Sequence, residues 1–278
     1  STVSRWFPDH VVLRLDDLQP QSIERDLDER ALRAGTRLTC VLAGEGVRYG
    51  LVPWNDELSS PSQRQLLAQQ AFIEVHGEVA RGWTIRQHTV GHGSASLACA
   101  IDTSLLDRLD SLAQDRRLNL VSVQPSLVHA YNEARRRIVN PGLFWFAEVD
   151  ARQATVLLMS PSEPLQVKRL PSAGADLTRW IEREWFALGI EAPRCPVYVL
   201  RADAGVPPVA APDPAHRAAG RSGADWQLVD LGILGGAVHP ARRTPHRAIL
   251  TLLVVALALA LTGNIATLAR ATALLLLS

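Results

Sequence analysis

The chain has 278 residues, with 29 Lys and Arg against 28 Asp and Glu, so its formal net charge of +1 leaves no global electrostatic footprint for nucleic acid. Three cysteines, Cys40, Cys99 and Cys195, stand far apart with no CxxC pair, which argues against a disulfide framework and a zinc site and leaves reduced, partly buried thiols. Lys168 is the only lysine in a chain rich in Ala, Leu and Arg, so the arginines reflect the coding bias of a GC-rich genome before they reflect function.

Residues 1–36 are polar and charged. They open on STVSRWFPD, and the next apolar run, VVLRL, is too short for the core of a signal peptide. DLDERALRAG reads as one short helix or an arm ahead of the fold proper, which we place at residues 37–203 in two halves, 37–140 and 141–203. TRLTCVLAG and VRYGLVPW make a hairpin broken at Glu45-Gly46. SPSQRQLLAQQAFIEVHG is a helix with Ser60 as N-cap, Pro61 in its first position and Gly77 as its stop. WTIRQHTV and SASLACAID form a second hairpin across GHG. TSLLDRLDSLAQDRR is an amphipathic helix starting near Thr103, LNLVSVQP a buried strand, and SLVHAYNEARRRI another helix.

After Asn140-Pro141-Gly142 the scheme restarts. GLFWFAEVD, QATVLLMS and LQVKRLPS are three strands joined by tight turns, ADLTRWIEREWFALGI is a helix, and PVYVLRA is a strand. Two halves, each opening on an antiparallel meander and continuing into helices and strands, make a duplicated α/β plan.

Residues 204–224 carry four prolines between Gly205 and Gly223 and no apolar periodicity, the composition of a linker. Residues 225–235 hold one isolated strand, LVDLGIL. Arg242, Arg243, His246 and Arg247 then crowd the near side of an uncharged run from Ala248 to Ala269. At about 1.5 Å per residue that run is a helix of roughly 33 Å, matching a hydrocarbon core of about 30 Å. The basic cluster places the helix N-terminus inside, with the large domain facing the cytoplasm and a short outer tail, 270–278, emerging.

VRYGLVPW, the helix ending FIEVHG, the hairpin beginning WTIR, LLDRLDSLAQ, LVSVQPSLVHAYN and FWFAEVD together resemble the actin-like proteins of type IV pilus and type II secretion assembly platforms, the PilM and GspL type. The resemblance covers roughly 37–200. It implies a degenerate actin-like, ribonuclease H-like duplicated α/β fold, here followed by linker, strand and one transmembrane helix in the GspL order. It also implies a bacterial inner-membrane protein with a cytoplasmic domain whose partners are the assembly ATPase and membrane platform proteins, with a homodimer left open. Asp230-Leu231-Gly232 departs from the Asn-Leu-Leu peptide of that family, and the periplasmic ferredoxin-like domain of an L component does not follow the span.

An ATPase of this superfamily needs hairpins where an aspartate precedes a glycine, because glycine lets backbone N–H groups approach the phosphates and the aspartate holds a metal-bound water. Phe146-Ala147-Glu148-Val149-Asp150-Ala151-Arg152 has no glycine, and Val41 to Gly46 has no aspartate. We therefore expect no catalytic residues, no cofactor and no metal site, and a non-enzymatic adaptor; the alternative is an ATP-binding switch whose nucleotide state sets partner affinity. Val90-Gly91-His92-Gly93-Ser94 is a hairpin turn rather than a phosphate loop. His76, His88, His92 and His129 lack ligand spacing, and Ser160 has no base in sequence reach. Arg135, Arg136 and Arg137 suit the last turn of a helix. Trp180 and Trp185 share a helix with Ile181, Phe186 and Leu188, which is either ordinary packing or in part a partner surface. Leu228, Val229, Leu231, Ile233 and Leu234 form the peptide-like strand, expected to fold back in cis onto a sheet edge or groove and to stand in for a partner peptide.

Overall fold

Val11, Leu13 and Leu15 alternate along one face of an extended run, and Leu38, Cys40 and Leu42 do the same on another. In the computed structural model these runs are β1 (His10–Leu15) and β2 (Arg37–Leu42), paired in parallel, with β6 (Asn119–Pro125) parallel on the far side of β2. The structure describes residues 9–58, 60–89, 91–139, 142–170, 177–189, 195–202 and 228–233. The chain divides into units 1–236 and 237–278, and every described residue lies in the first.

Two parallel strands need a crossover, and α1 (Pro20–Glu29) supplies it. Its Ile23 and Leu27 join the apolar faces of β1 and β2 in a core completed by Leu109 and Ala113 of α3 (Thr103–Asp115). This corrects the expectation that the fold begins at residue 37: β1 and α1 are built into its first half. The five-residue run VVLRL is too short to announce a core strand until β2 is seen beside it.

The expected hairpin across Glu45-Gly46 is also absent. β3 (Val47–Val52) leaves the first sheet and pairs instead with β5 (Ser96–Asp102), which pairs with β4 (Trp83–Thr89) in a separate antiparallel sheet, β3-β5-β4. The first half therefore does not open on a meander. Its antiparallel strands are an insertion between β2 and β6. α2 (Pro61–His76) covers that insertion, packing Ala68 and Phe72 on Val52, Ile85, Ala98 and Ala100. A side chain at Gly50 would lie 3.3 Å from the Phe72 ring, so the glycine permits this approach. The helix starts and stops as its residues direct. Ser60 Oγ accepts from Gln63 N at 3.2 Å, Gln63 Oε1 accepts from Ser60 N at 3.1 Å, and Gly77 turns the chain at φ +78°. β6 is half-buried at the sheet edge rather than a buried strand.

The second half follows the expected plan. β7 (Phe144–Val149), β8 (Ala154–Met159) and β9 (Pro164–Leu170) form the antiparallel meander, β10 (Val197–Arg201) joins β7 in parallel, and β11 (Leu228–Ile233) joins β10 in parallel. The sheet order is β11-β10-β7-β8-β9. Trp145, Ala147, Val149, Val156, Leu158, Val197 and Val199 face α5 (Leu177–Ala187), while Phe144, Phe146, Leu157, Tyr198 and Leu200 face α4 (Ser126–Ala134). Burial on both faces explains why these strands read as continuous apolar runs.

Among the described residues no helix is long and apolar enough to cross a membrane. The span Ala248–Ala269, the linker 204–224, Leu234 and the tail 270–278 lie outside the described residues.

Candidate functional site

Two seven-residue stretches share one design. Leu13-Arg14-Leu15-Asp16-Asp17-Leu18-Gln19 leaves β1, and Ala147-Glu148-Val149-Asp150-Ala151-Arg152-Gln153 leaves β7. Each alternates two inward apolar residues around one charged residue, then turns at aspartate and ends on glutamine. The charged positions match in place and oppose in sign. Arg14 Nη1 donates to Glu148 Oε1 at 2.8 Å, joining the two halves. Arg14 Nε also donates to Asp16 Oδ1 at 2.7 Å, and Ser126 Oγ at the start of α4 donates to Glu148 Oε2 at 2.9 Å.

Glu148 is 4% exposed, and burial pushes its carboxyl above the ordinary value, with Arg14 and Ser126 only partly offsetting this. Burial also opposes the charge on Arg14, but Glu148 and then Asp16 outweigh it and hold the guanidinium above its usual value. Tyr49 closes the same region: its hydroxyl accepts from Leu127 N at 3.2 Å, and burial pushes its ionisation up.

Above this clasp lies a cavity of about 730 Å³, lined by Asp16 to Gln19, Gly44 to Gly46 and Asp150 to Gln153. Its volume suits a nucleotide-sized ligand. Its lining is predominantly acidic, and neither turn carries a glycine. Among the described residues Asp16, Asp17, Glu45 and Asp150 line it against one cation, Arg152. Three backbone donors of the turns are also taken. Asp150 Oδ1 accepts from Arg152 N at 2.7 Å and Gln153 N at 2.8 Å, and Asp17 Oδ1 accepts from Gln19 N at 2.9 Å. In each turn the aspartate carboxylate thus already accepts from backbone amides of its own loop. Asp17 also accepts from Ser22 Oγ at 2.7 Å, and that bond, followed by the Gln19 amide, holds its carboxyl below the ordinary range. A Cβ on Gly46 would meet Leu18 Cδ1 at 2.0 Å, so this glycine makes room for Leu18, not for a phosphate.

The sequence reading located the second of these turns and missed the first, because Arg14, Asp16 and Asp17 sat in the stretch assigned ahead of the fold. The internal repeat LRLDDLQ against AEVDARQ is the signal that finds them.

The expected strand Leu228 to Ile233 does return to its own domain, on the open edge of β10. Leu231, 8% exposed, joins the core with Tyr198 and Leu200; Leu228 and Val229 are half-buried, and Ile233 is 44% exposed. The isolated strand of the sequence reading is thus the fifth strand of the second sheet. Arg137 Nη1 donates to Leu231 O, and Arg201 Nη2 lies 3.3 Å from Asp230 Oδ2, so the arginines after α4 include one tied to the strand rather than a solvated row.

Trp185 is buried against the second sheet, and Trp180 stacks edge-on against Trp145 at 6.1 Å with the Lys168 Nζ 5.9 Å from its own ring centroid. Phe186, at 71% exposed, carries outward apolar surface of α5. His92 packs on Trp54, His76 lies between Phe72 and Trp83, and His129 Nδ1 lies 3.1 Å from Gln124 Oε1, which places these imidazoles in separate local contacts. The cysteines are free and buried, and burial pushes Cys40 and Cys99 up to about 12.

No family model and no curated protein matches the chain. Solved structures do. A chain of the PilM–PilN type IV pilus biogenesis complex aligns with TM-score 0.53 and 15% identity, over 82% of this chain and 79% of that one. The cytoplasmic domain of EpsL, an inner-membrane component of the type II secretion system of Vibrio cholerae, aligns with TM-score 0.53 and 10% identity, over 80% and 89%. A Bacteroides thetaiotaomicron protein with an actin-like ATPase fold and unknown function aligns with TM-score 0.50 and 11% identity, over 85% and 95%. The chain is therefore similar in structure to the PilM and GspL type that its residues resemble, and its fold is a mixed α/β actin-like fold.

Proposed function

We propose that the protein is a non-enzymatic adaptor of a bacterial inner-membrane assembly platform of the type II secretion or type IV pilus kind, linking the assembly ATPase to membrane partners. The observation that carries this is the closed pair of turns. Asp17 and Asp150 accept from backbone amides of their own turns, and neither turn carries the glycine that would let backbone N–H groups approach a phosphate. With nucleotide chemistry disfavoured, what the fold offers is surfaces. The segment Ala248–Ala269 anchors it, the domain faces the cytoplasm, and β11 occupies in cis the kind of edge a partner strand would take.

The test is made on the full chain. The cognate assembly ATPase is expected to sediment with membranes only when the chain is present, and millimolar Mg-ATP is expected to leave the chain's melting temperature unchanged. An ATPase indifferent to the chain would end the adaptor reading. The volume of the cavity, about 730 Å³, favours a second reading, an ATP-binding switch. A ligand at about 100 times its dissociation constant stabilises by about 2.7 kcal/mol, so a clear upward shift with Mg-ATP would carry that reading instead.

A further inference from the structure

β1 and β7 are equivalent strands that the chain finishes differently. In the second half β7 is flanked by β10 in parallel on one side and β8 antiparallel on the other. In the first half β1 has β2 in parallel on the equivalent side, and among the described residues no strand pairs with its other edge. After Gln153 the chain returns as β8, whereas after Gln19 it meets Pro20 and enters α1. Among the described residues β1 is thus without the antiparallel neighbour that its twin has.

The backbone groups facing that edge can be named. Asp9 O accepts from Arg37 N at 2.8 Å and Leu15 O from Ala43 N at 2.9 Å, so the odd-numbered residues turn toward β2. By the alternation of a strand, His10, Val12 and Arg14 turn their N–H and C=O groups to the open side. His10 to Leu15 contains no proline, lysine or bulge to discourage pairing, and its one charged side chain, Arg14, is held by Glu148 and Asp16.

An antiparallel strand laid on this edge runs with its N-terminal residues beside Leu15 and toward Asp16 and Asp17, which belong to the acidic lining of the cavity. That fixes the chemistry of the occupant. We infer that the open edge of β1 receives an extended segment of a partner protein, basic at its N-terminal end and alternating apolar and polar residues behind it. A second copy of the chain fits less well, because antiparallel pairing of β1 with itself brings Asp9 of one copy toward Asp16 of the other. The inference goes beyond the platform reading and does not depend on it.

The test uses the full chain in mild detergent and a fluorescent acetylated peptide, Arg-Arg-Val-Thr-Val-Thr-Val-Ser, read by anisotropy. A control peptide carries both arginines at the C-terminal end. The inference expects saturable binding that weakens with salt, at least about tenfold weaker binding of the control, and a similar loss in the Glu45→Gln/Asp16→Asn variant. Val12→Pro deletes an outward N–H while sparing the bonds to β2, as edge strands tolerate, and should lower affinity by about tenfold or more with melting retained. If Val12→Pro fails to fold, amide exchange on the unmodified chain decides: the His10, Val12 and Arg14 amides must slow when peptide is added. Binding blind to peptide polarity, binding unchanged in Val12→Pro, absence of binding, or a concentration-dependent dimer that Val12→Pro dissolves would each overturn the inference.

Discussion

Arg14 and Glu148 hold matched positions on β1 and β7, and what each contributes depends on the other. A buried pair gains little over an apolar replacement, but one partner left alone is costly, typically about 3–5 kcal/mol. Arg14→Met leaves Glu148 with Ser126 as its remaining side-chain donor, whereas Arg14→Met with Glu148→Leu removes both charges. We expect the single variant to lose about 3 kcal/mol in urea unfolding and the double variant to recover most of that loss. The pH dependence has a definite sign. Burial raises the folded-state carboxyl of Glu148 above its ordinary 4.5, so the folded state binds the proton more tightly than the unfolded chain. Stability from this group is gained below the ordinary value and lost as the pH rises through the folded value. Without Arg14 that folded value climbs further, so Arg14→Met should be least impaired near pH 5 and most impaired at neutral pH, a trend that Glu148→Leu abolishes.

β11 shows how an element can be legible in sequence while its place is not. LVDLGIL announces a strand by its β-branched and apolar residues, but nothing local says that its partner is β10, some thirty residues back across a proline-rich stretch. The second half was read nearly as built, since β7, β8 and β9 are consecutive and tight turns fix their register. The first half was misread because β1 pairs with β2 only through the α1 crossover, and because the antiparallel strands that follow belong to an inserted sheet. Capping chemistry survived in both halves: Ser60, Pro61 and Gly77 bound α2 because their effects reach only one turn. Non-local pairing is what the sequence hides. If β11 completes the second sheet, Leu231→Ala should cost about 2–3 kcal/mol by opening a cavity beside Tyr198 and Leu200. Ile233→Ala, at an exposed position, should cost well under 1 kcal/mol. Equal effects in thermal unfolding would place the strand off the sheet.

For the whole molecule, the acidic cavity draws its lining from both halves, at residues 16–19, 44–46 and 150–153, and the apolar run 248–269 lies well beyond them in sequence. The candidate site is half legible: the glycine-free turn at Asp150 stands out in the sequence, but its twin at Asp16-Asp17 is visible only in the structural equivalence of β1 and β7. The membrane reading rests on sequence alone, and its physics is explicit. Ala248–Ala269 has no charge to desolvate, and a helix satisfies its backbone internally. Each arginine placed at the middle of such a helix costs about 2.5–3.5 kcal/mol for insertion. Leu257→Arg with Leu259→Arg should therefore move the chain from the membrane pellet to the soluble fraction after carbonate washing. Exchanging Arg242, Arg243 and Arg247 for Gln should leave it membrane-bound but mixed in orientation, read by protease protection of the large domain. A chain that stays in the pellet with two arginines in the run would place its membrane attachment on a surface of the folded domain instead.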